Sequence, residues 1–176
     1  MIAIRTLEIA ELSCINEIDR SEEIFEVYQF QENRLRLIPH RESVSGFEEG
    51  ELKAIISRQR KLLETGGKVF GAFDNQKLIG VASVENKKRG LLQNYCKMDI
   101  LYVSKLYQGK GIASQMVEAS KQAAKKFGAD KLYISATPTK NTINFYLKRG
   151  AVPVMDLDQE LFVIEPEDIH LELKVD

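Results

Sequence analysis

The segment Gln108-Gly109-Lys110-Gly111-Ile112-Ala113 holds the residue types best suited to gripping an anion. Glycines let backbone amides approach a ligand without hindrance from a Cβ. A helix beginning here would add free N–H groups and the positive end of its dipole. Together these features make a site for phosphate or pyrophosphate, to which Lys110 could add charge. Two familiar phosphate loops do not fit. A dinucleotide loop needs a third glycine where Ser114 stands, and an acidic residue about 20 positions on. The strand end Ile134-Ser135-Ala136-Thr137 offers none. A P-loop needs Gly-Lys-Ser/Thr at its close, which is missing. A tight strand–helix turn that binds nothing is the plain alternative.

The elements that must hold this turn are legible from periodicity. Tyr95 to Ser104 reads as a strand entering it, and a long helix leaves it, with Ile112, Met116, Ala119, Ala123 and Phe127 on one side and Gly128 as its cap. Lys131 to Ala136 reads as the next strand and Thr139 to Arg149 as a helix ending at Gly150. Strand, helix and strand form a βαβ unit, expected to be parallel and right-handed. Upstream, Ile2 to Leu7 is expected to be a strand. Glu8 to Glu26 is expected to be mainly helical, from Ile9, Leu12, Ile15 and Ile18. Phe25 to Pro39 fits either a hairpin or a helix end, and polar Arg41 to Gly50 a loop. Glu51 to Glu64 is expected to be a helix ended by Gly66-Gly67. Lys68 to Phe73 and Lys77 to Glu85 flank Asp74-Asn75-Gln76 as a hairpin. Val152 to Val175 is expected to hold two more strands. This mixture argues α+β, or α/β with a mixed sheet.

Gln108-x-x-Gly111-x-Ala113 resembles the coenzyme A pyrophosphate loop of the GNAT acetyltransferases, whose signature is Gln/Arg-x-x-Gly-x-Gly/Ala. Ile100-Leu101-Tyr102-Val103 resembles that family's preceding strand. Asn144-Phe145-Tyr146-Leu147-Lys148-Arg149-Gly150-Ala151 resembles its Phe-Tyr-x-Lys-x-Gly segment. The likeness spans Met98 to Ala151. Two positions depart: Thr139 stands where many members carry an Asn that contacts the pantetheine arm, and Ala151 where Phe is common.

The resemblance implies a single domain over residues 1–176, with a mostly antiparallel mixed sheet, a central βαβ unit and flanking helices. It implies an N-acetyltransferase moving acetyl from acetyl-CoA to a primary amine by direct attack in a ternary complex; the alternative is a non-catalytic acyl-CoA-binding or regulatory domain. Backbone and side chains of Gln108, Gly109, Lys110, Gly111, Ile112, Ala113 and Ser114 would hold the cofactor, with Asn144 as a further contact. Backbone N–H groups of Leu101, Tyr102 and Val103 would stabilise the thioester oxygen. Tyr146 would protonate the departing thiolate, although Ile143, Tyr146, Leu147 and Gly150 share a helical face and core packing explains them equally well. For the base, Asp99, on a strand face with Leu101 and Val103, and Glu85, ending the preceding strand, are the carboxylates available through water. In this fold the acceptor pocket is built from early segments (about Asp19 to Phe47) and a late one (Met155 to Glu165). Their Glu22, Glu23, Glu26, Asp156, Asp158 and Glu160 lean toward a cationic acceptor.

Composition narrows the field. With 25 Lys and Arg against 26 Asp and Glu, the net charge is -1. That gives no basic excess for nucleic acid or an anionic membrane. Cys14 and Cys96 make no disulfide framework, and His40 and His170 have no ligand pattern around them, so no metal is expected. No apolar run approaches the roughly 20 residues of a membrane span. The start shows no secretory signal, so the expectation is a cytoplasmic monomer or homodimer.

Overall fold

The computed structural model describes residues 1–176, and its sheet is built around runs of apolar residues buried on both faces. In chain order the elements are β1 (Ile2–Thr6), a 3₁₀ segment (Ile9–Glu17), β2 (Glu22–Gln31), β3 (Arg34–Val44), α1 (Glu51–Glu64), β4 (Lys68–Asp74) and β5 (Lys77–Arg89). They continue with β6 (Tyr95–Val103), a 3₁₀ turn (Lys105–Tyr107), α2 (Ile112–Lys126), β7 (Lys131–Ala136), α3 (Lys140–Leu147), β8 (Val152–Pro153), α4 (Gln159–Ile164) and β9 (Ile169–Lys174).

A seven-stranded sheet runs in the order β1-β4-β5-β6-β7-β9-β8. Each neighbouring pair is antiparallel except β6 and β7, the parallel strands of the βαβ unit. The fold is therefore α+β with a mostly antiparallel mixed sheet. From Leu78 to Val84, β5 is buried without alternation, because helices cover both sides of it. On one side α2 and α3 set Val117, Ala124, Ile143 and Tyr146 against Met98, Leu132, Ile134 and Leu171. On the other, the 3₁₀ segment and α1 pack Leu12, Ile15, Ile55 and Leu62 onto Val69, Val81 and Ile100.

Strands β2 and β3 form a separate hairpin. It docks where β7 ends: the Tyr28 N–H donates to the Pro138 carbonyl (2.7 Å), and Val27 bridges Thr139.

Four expectations change. Glu8 to Glu26 is not one helix. Its apolar residues recur every third position, the period of a 3₁₀ helix, and the chain turns extended from Glu22. The strand β3 continues through Arg41 to Val44, where a loop was expected, since a hairpin solvated over most of its length needs no apolar alternation. The hairpin strand expected to stop at Glu85 runs on to Arg89. The tail holds α4 between its two strands, started by Asp158, whose carboxylate accepts from the Leu161 N–H (3.0 Å).

Candidate active site

The turn before α2 leaves its amides free. From Gly109 to Ser114 no N–H finds an acceptor within the protein, and Gly111, the residue preceding α2, has no side-chain cap. Gly109 and Gly111 have φ of 75° and 81°, a region that favours glycine, and an added Cβ at either would point into open space. The turn is braced from below. The Tyr107 hydroxyl donates to Asp74 (2.7 Å), the Lys110 ammonium lies 5.1 Å from the Tyr107 ring centroid, and Gln108 Nε2 donates to the Val103 carbonyl (3.1 Å). Gln108 thus ties the turn to β6 with its side chain. Ile112 is buried against Met116, so only its N–H faces the turn.

Beside this turn the sheet opens. Pairing between β6 and β7 covers only Tyr95–Lys97 against Lys131–Tyr133. Beyond that β7 pairs with β9 alone. Ser104 N–H bonds to the Ile79 carbonyl on β5 (2.8 Å), so strand alternation turns the main chain of Leu101 and Val103 toward the opening and that of Tyr102 away. Of the three residues expected to stabilise the thioester oxygen, two therefore have the required direction.

Tyr146 stands on the α2 and α3 side of the sheet, with its ring in the core cluster and 4% of the residue exposed. Its hydroxyl has no hydrogen-bond partner, yet it is not among the side-chain atoms sealed from solvent. Burial raises its pKa above the usual phenol value, so it stays protonated. Two further groups on α3 engage neighbours. The Tyr28 hydroxyl donates to Asn144 Oδ1 (2.7 Å), joining α3 to the hairpin. Arg149 donates to Ser114 Oγ on the first turn of α2, and its guanidinium stacks 3.6 Å from the Phe145 ring centroid. Arg149 places a cation beside the free amides. Sequence reasoning passed over it, although it sits inside the Tyr146 to Gly150 segment. Thr139 caps α3 by accepting from the Thr142 N–H (3.4 Å).

The expected bases are both committed elsewhere. Asp99 does not share a face with Leu101 and Val103. On β5, Ala82 and Val84 pair with Leu101 and Met98, so Asp99 and Ile100 together oppose the single residue Ser83. This β-bulge switches the faces of the strand. Met98, Leu101 and Val103 pack toward the α2 side, and Ile100 toward α1. The Asp99 carboxylate, 1% exposed, takes bonds from Arg58 (2.7 Å), Gln59 (2.7 Å) and Lys97 (2.8 Å). Burial pushes its pKa up, but the Lys97 and Arg58 charges more than offset this and hold it below the usual carboxylate value. Glu85 accepts twice from buried Arg89 (3.2 and 3.1 Å). A carboxylate so paired is a poor proton acceptor.

Of the six acidic residues expected around the acceptor, three are paired with cations and two accept hydrogen bonds from neutral groups. Arg89 and Lys87 hold Asp158 and Glu160, Lys140 holds Glu26 (2.6 Å), Ser43 donates to Glu23, and the Leu91 N–H donates to Asp156 (2.6 Å). Glu22 has no partner, and burial raises its pKa. His170 sits between the Tyr133 hydroxyl (2.7 Å) and the Glu165 carbonyl (3.1 Å), and His40 lies 3.2 Å from Glu42. No helix is long and apolar enough to cross a membrane.

A comparison with curated protein sequences finds no match. Among solved structures, the chain is similar to a nourseothricin acetyltransferase, at 16% identity and a TM-score of 0.73 over 99% of each chain. It is similar to a PaiA N-acetyltransferase from Thermoplasma acidophilum solved with coenzyme A, at 20% identity and a TM-score of 0.63 over 99% of each chain. It is also similar to the ribosomal-protein-S18-alanine N-acetyltransferase of Escherichia coli, at 17% identity and a TM-score of 0.62 over 100% of this chain and 95% of that one. At such identities these likenesses establish the fold. The model of the acetyltransferase (GNAT) family matches residues 22–151, from the first residue of β2 to the residue after Gly150. That span takes in both the open strand pair and the turn beside it, and by it the chain belongs to the GNAT acetyltransferase family.

Proposed function

We propose that the chain is an N-acetyltransferase that moves acetyl from acetyl-CoA to a primary amine by direct attack. The observation that carries this reading is the run of unpaired N–H groups from Gly109 to Ser114 opening onto the gap between β6 and β7. The amides of Gly109, Lys110, Gly111, Ile112, Ala113 and Ser114 would hold the pyrophosphate, with Lys110 and Arg149 as cations beside it. Asn144 on α3 would be a further contact through its amide Nδ2, its Oδ1 being held by the Tyr28 hydroxyl. The Leu101 and Val103 N–H groups would receive the thioester oxygen, where negative charge builds during attack.

Bond changes follow from that arrangement. The neutral amine nitrogen bonds to the carbonyl carbon, the carbon–sulfur bond breaks, the Tyr146 hydroxyl gives its proton to sulfur, and the proton that the nitrogen sheds on becoming an amide returns through water to Tyr146. The attacking nitrogen must have lost a proton first, since an alkyl ammonium has a pKa near 10.4. Asp99 and Glu85 are both held in ion pairs, which supports passage of that proton to water rather than to either carboxylate.

The same ion pairs favour a second reading, binding of acyl-CoA without transfer. Two measurements separate these. Acetyl-CoA at 100 times its Kd should stabilise the fold by about 2.7 kcal/mol, where NAD and ATP do not. A thiol-release assay over a panel of amines should then detect free coenzyme A. Stabilisation without release from any amine would leave only the binding reading.

A further inference from the structure

Under the hairpin lies a groove of about 630 Å³, between the inner face of β2–β3 and the chain leading into β9. That is within the usual range for a small-molecule site. Its walls are largely apolar, with Ile24, Ile38, Leu157 and Phe162 among them. Its fixed charges have one sign. Glu42, Glu167 and Asp168 line it, with His40 lying 3.2 Å from Glu42 and His170 bonded to the Tyr133 hydroxyl, and no Lys or Arg does, although these supply 25 of the 176 residues.

Two of these carboxylates differ from the others around them. Asp158, Glu160 and Glu26 each have a cation of the protein's own, whereas Glu167 and Asp168 form no ion pair. Asp168 sits beside Glu165, its N–H donating to the Glu165 carbonyl (3.3 Å). Burial and this neighbouring carboxylate push its pKa up to about 7. Lys97 attracts Asp168 but does not offset this, so a positive ligand would relieve the remaining repulsion between the two carboxylates. The inner end of the groove also meets the open strand pair. Thr137 follows β7, and Asp168 precedes Ile169, which pairs with Ala136 after β7 has parted from β6.

We propose that this groove binds the acceptor, and that the acceptor is a small dicationic amine: an apolar chain with the reacting amine at the Asp168 end and a second cation between Glu42 and Glu167. This rests on the transfer reading above and adds the substrate class.

The probe pair is 1,5-diaminopentane against pentylamine, equal in carbon chain and differing by one charge. With acetyl-CoA, kcat/KM for the diamine is expected to exceed that for the monoamine by at least about tenfold, the worth of one charge-assisted hydrogen bond. In the Glu42→Gln, Glu167→Gln double variant that ratio should fall toward one. Both side chains are exposed, and the melting temperature and acetyl-CoA affinity of the variant report whether the fold is kept. Equal use of the two amines, a ratio that survives the double substitution, or preference for a peptide with a free N-terminus over the diamine would each overturn the proposal. Calorimetry with diamine alone keeps the two readings apart. Diamine binding that the double variant loses, with no coenzyme A released, would sink transfer and leave the cation site standing. Coenzyme A released from monoamines, with no diamine binding, would do the reverse.

Discussion

Replacing Tyr146 by Phe removes one oxygen from a side chain whose ring is held by the core. That oxygen bonds to nothing in the protein, so its loss orphans no partner, and the ring keeps its contacts with Ile143, Ile134 and the rest of the cluster. Stability should therefore change by no more than about 0.5 kcal/mol, as for a substitution away from any packing or hydrogen-bonding feature. Turnover should respond very differently. Positioned proton transfer contributes about 10² to 10⁴ in rate. Burial raises the pKa of this phenol, which weakens it as an acid, so the lower end applies: about a hundredfold, or about 2.7 kcal/mol of barrier. The assay is thiol release at saturating acetyl-CoA, with cofactor affinity measured by calorimetry and stability by urea melts on the same preparation. Turnover within about threefold of the parent would refute the acid role. A large loss of stability would show instead that the hydroxyl has a structural partner.

Three further outcomes are expected. Gly111→Glu should weaken acetyl-CoA binding by more than about a hundredfold in calorimetry, because it adds negative charge and bulk where free amides face open space; its positive φ adds about 1–2 kcal/mol of strain, visible as a lowered melting temperature. Arg149→Ala should raise KM for acetyl-CoA about tenfold with kcat nearly kept, since it removes a cation at Ser114 and leaves Tyr146 in place; an equal fall in kcat would contradict this. Asp99→Asn should cost about 3–5 kcal/mol in urea unfolding at neutral pH, because Lys97, with its side chain 8% exposed, loses its counter-charge. The pH dependence follows from the lowered pKa of Asp99: its contribution is full above about pH 4, the unfolded value, and is lost as pH falls through the folded one, so the variant should show a flatter acid limb.

The sequence made the turn and its frame readable, because glycines, a helical stripe and a βαβ order are local signals. It was much less informative about Asp99. A bulge adds one residue to a strand without leaving a mark in the apolar alternation, and that one residue moved Asp99 to the face of α1. Its partner Arg58 lies 41 positions away, and Arg149 meets Ser114 across 35, distances no periodicity spans. The 3₁₀ segment was hidden by a spacing shared with the α-helix for its first turns. The β2–β3 hairpin was ambiguous because most of its residues face solvent. Its groove follows from where it docks, on Pro138 and Thr139, which neither strand announces.

A sheet usually has two borders, and here they are β1 and β8. The parting of β6 from β7 creates another pair in the interior, with main-chain donors on Leu101 and Val103 that no neighbouring strand uses. An exposed border invites other polypeptides to add on and aggregate. This one is interior, with α2 packed against both of its strands, and on the acetyl-CoA reading it would be filled by a slim ligand carrying amides of its own. The bonding capacity of a strand edge would then serve a small guest in place of another chain.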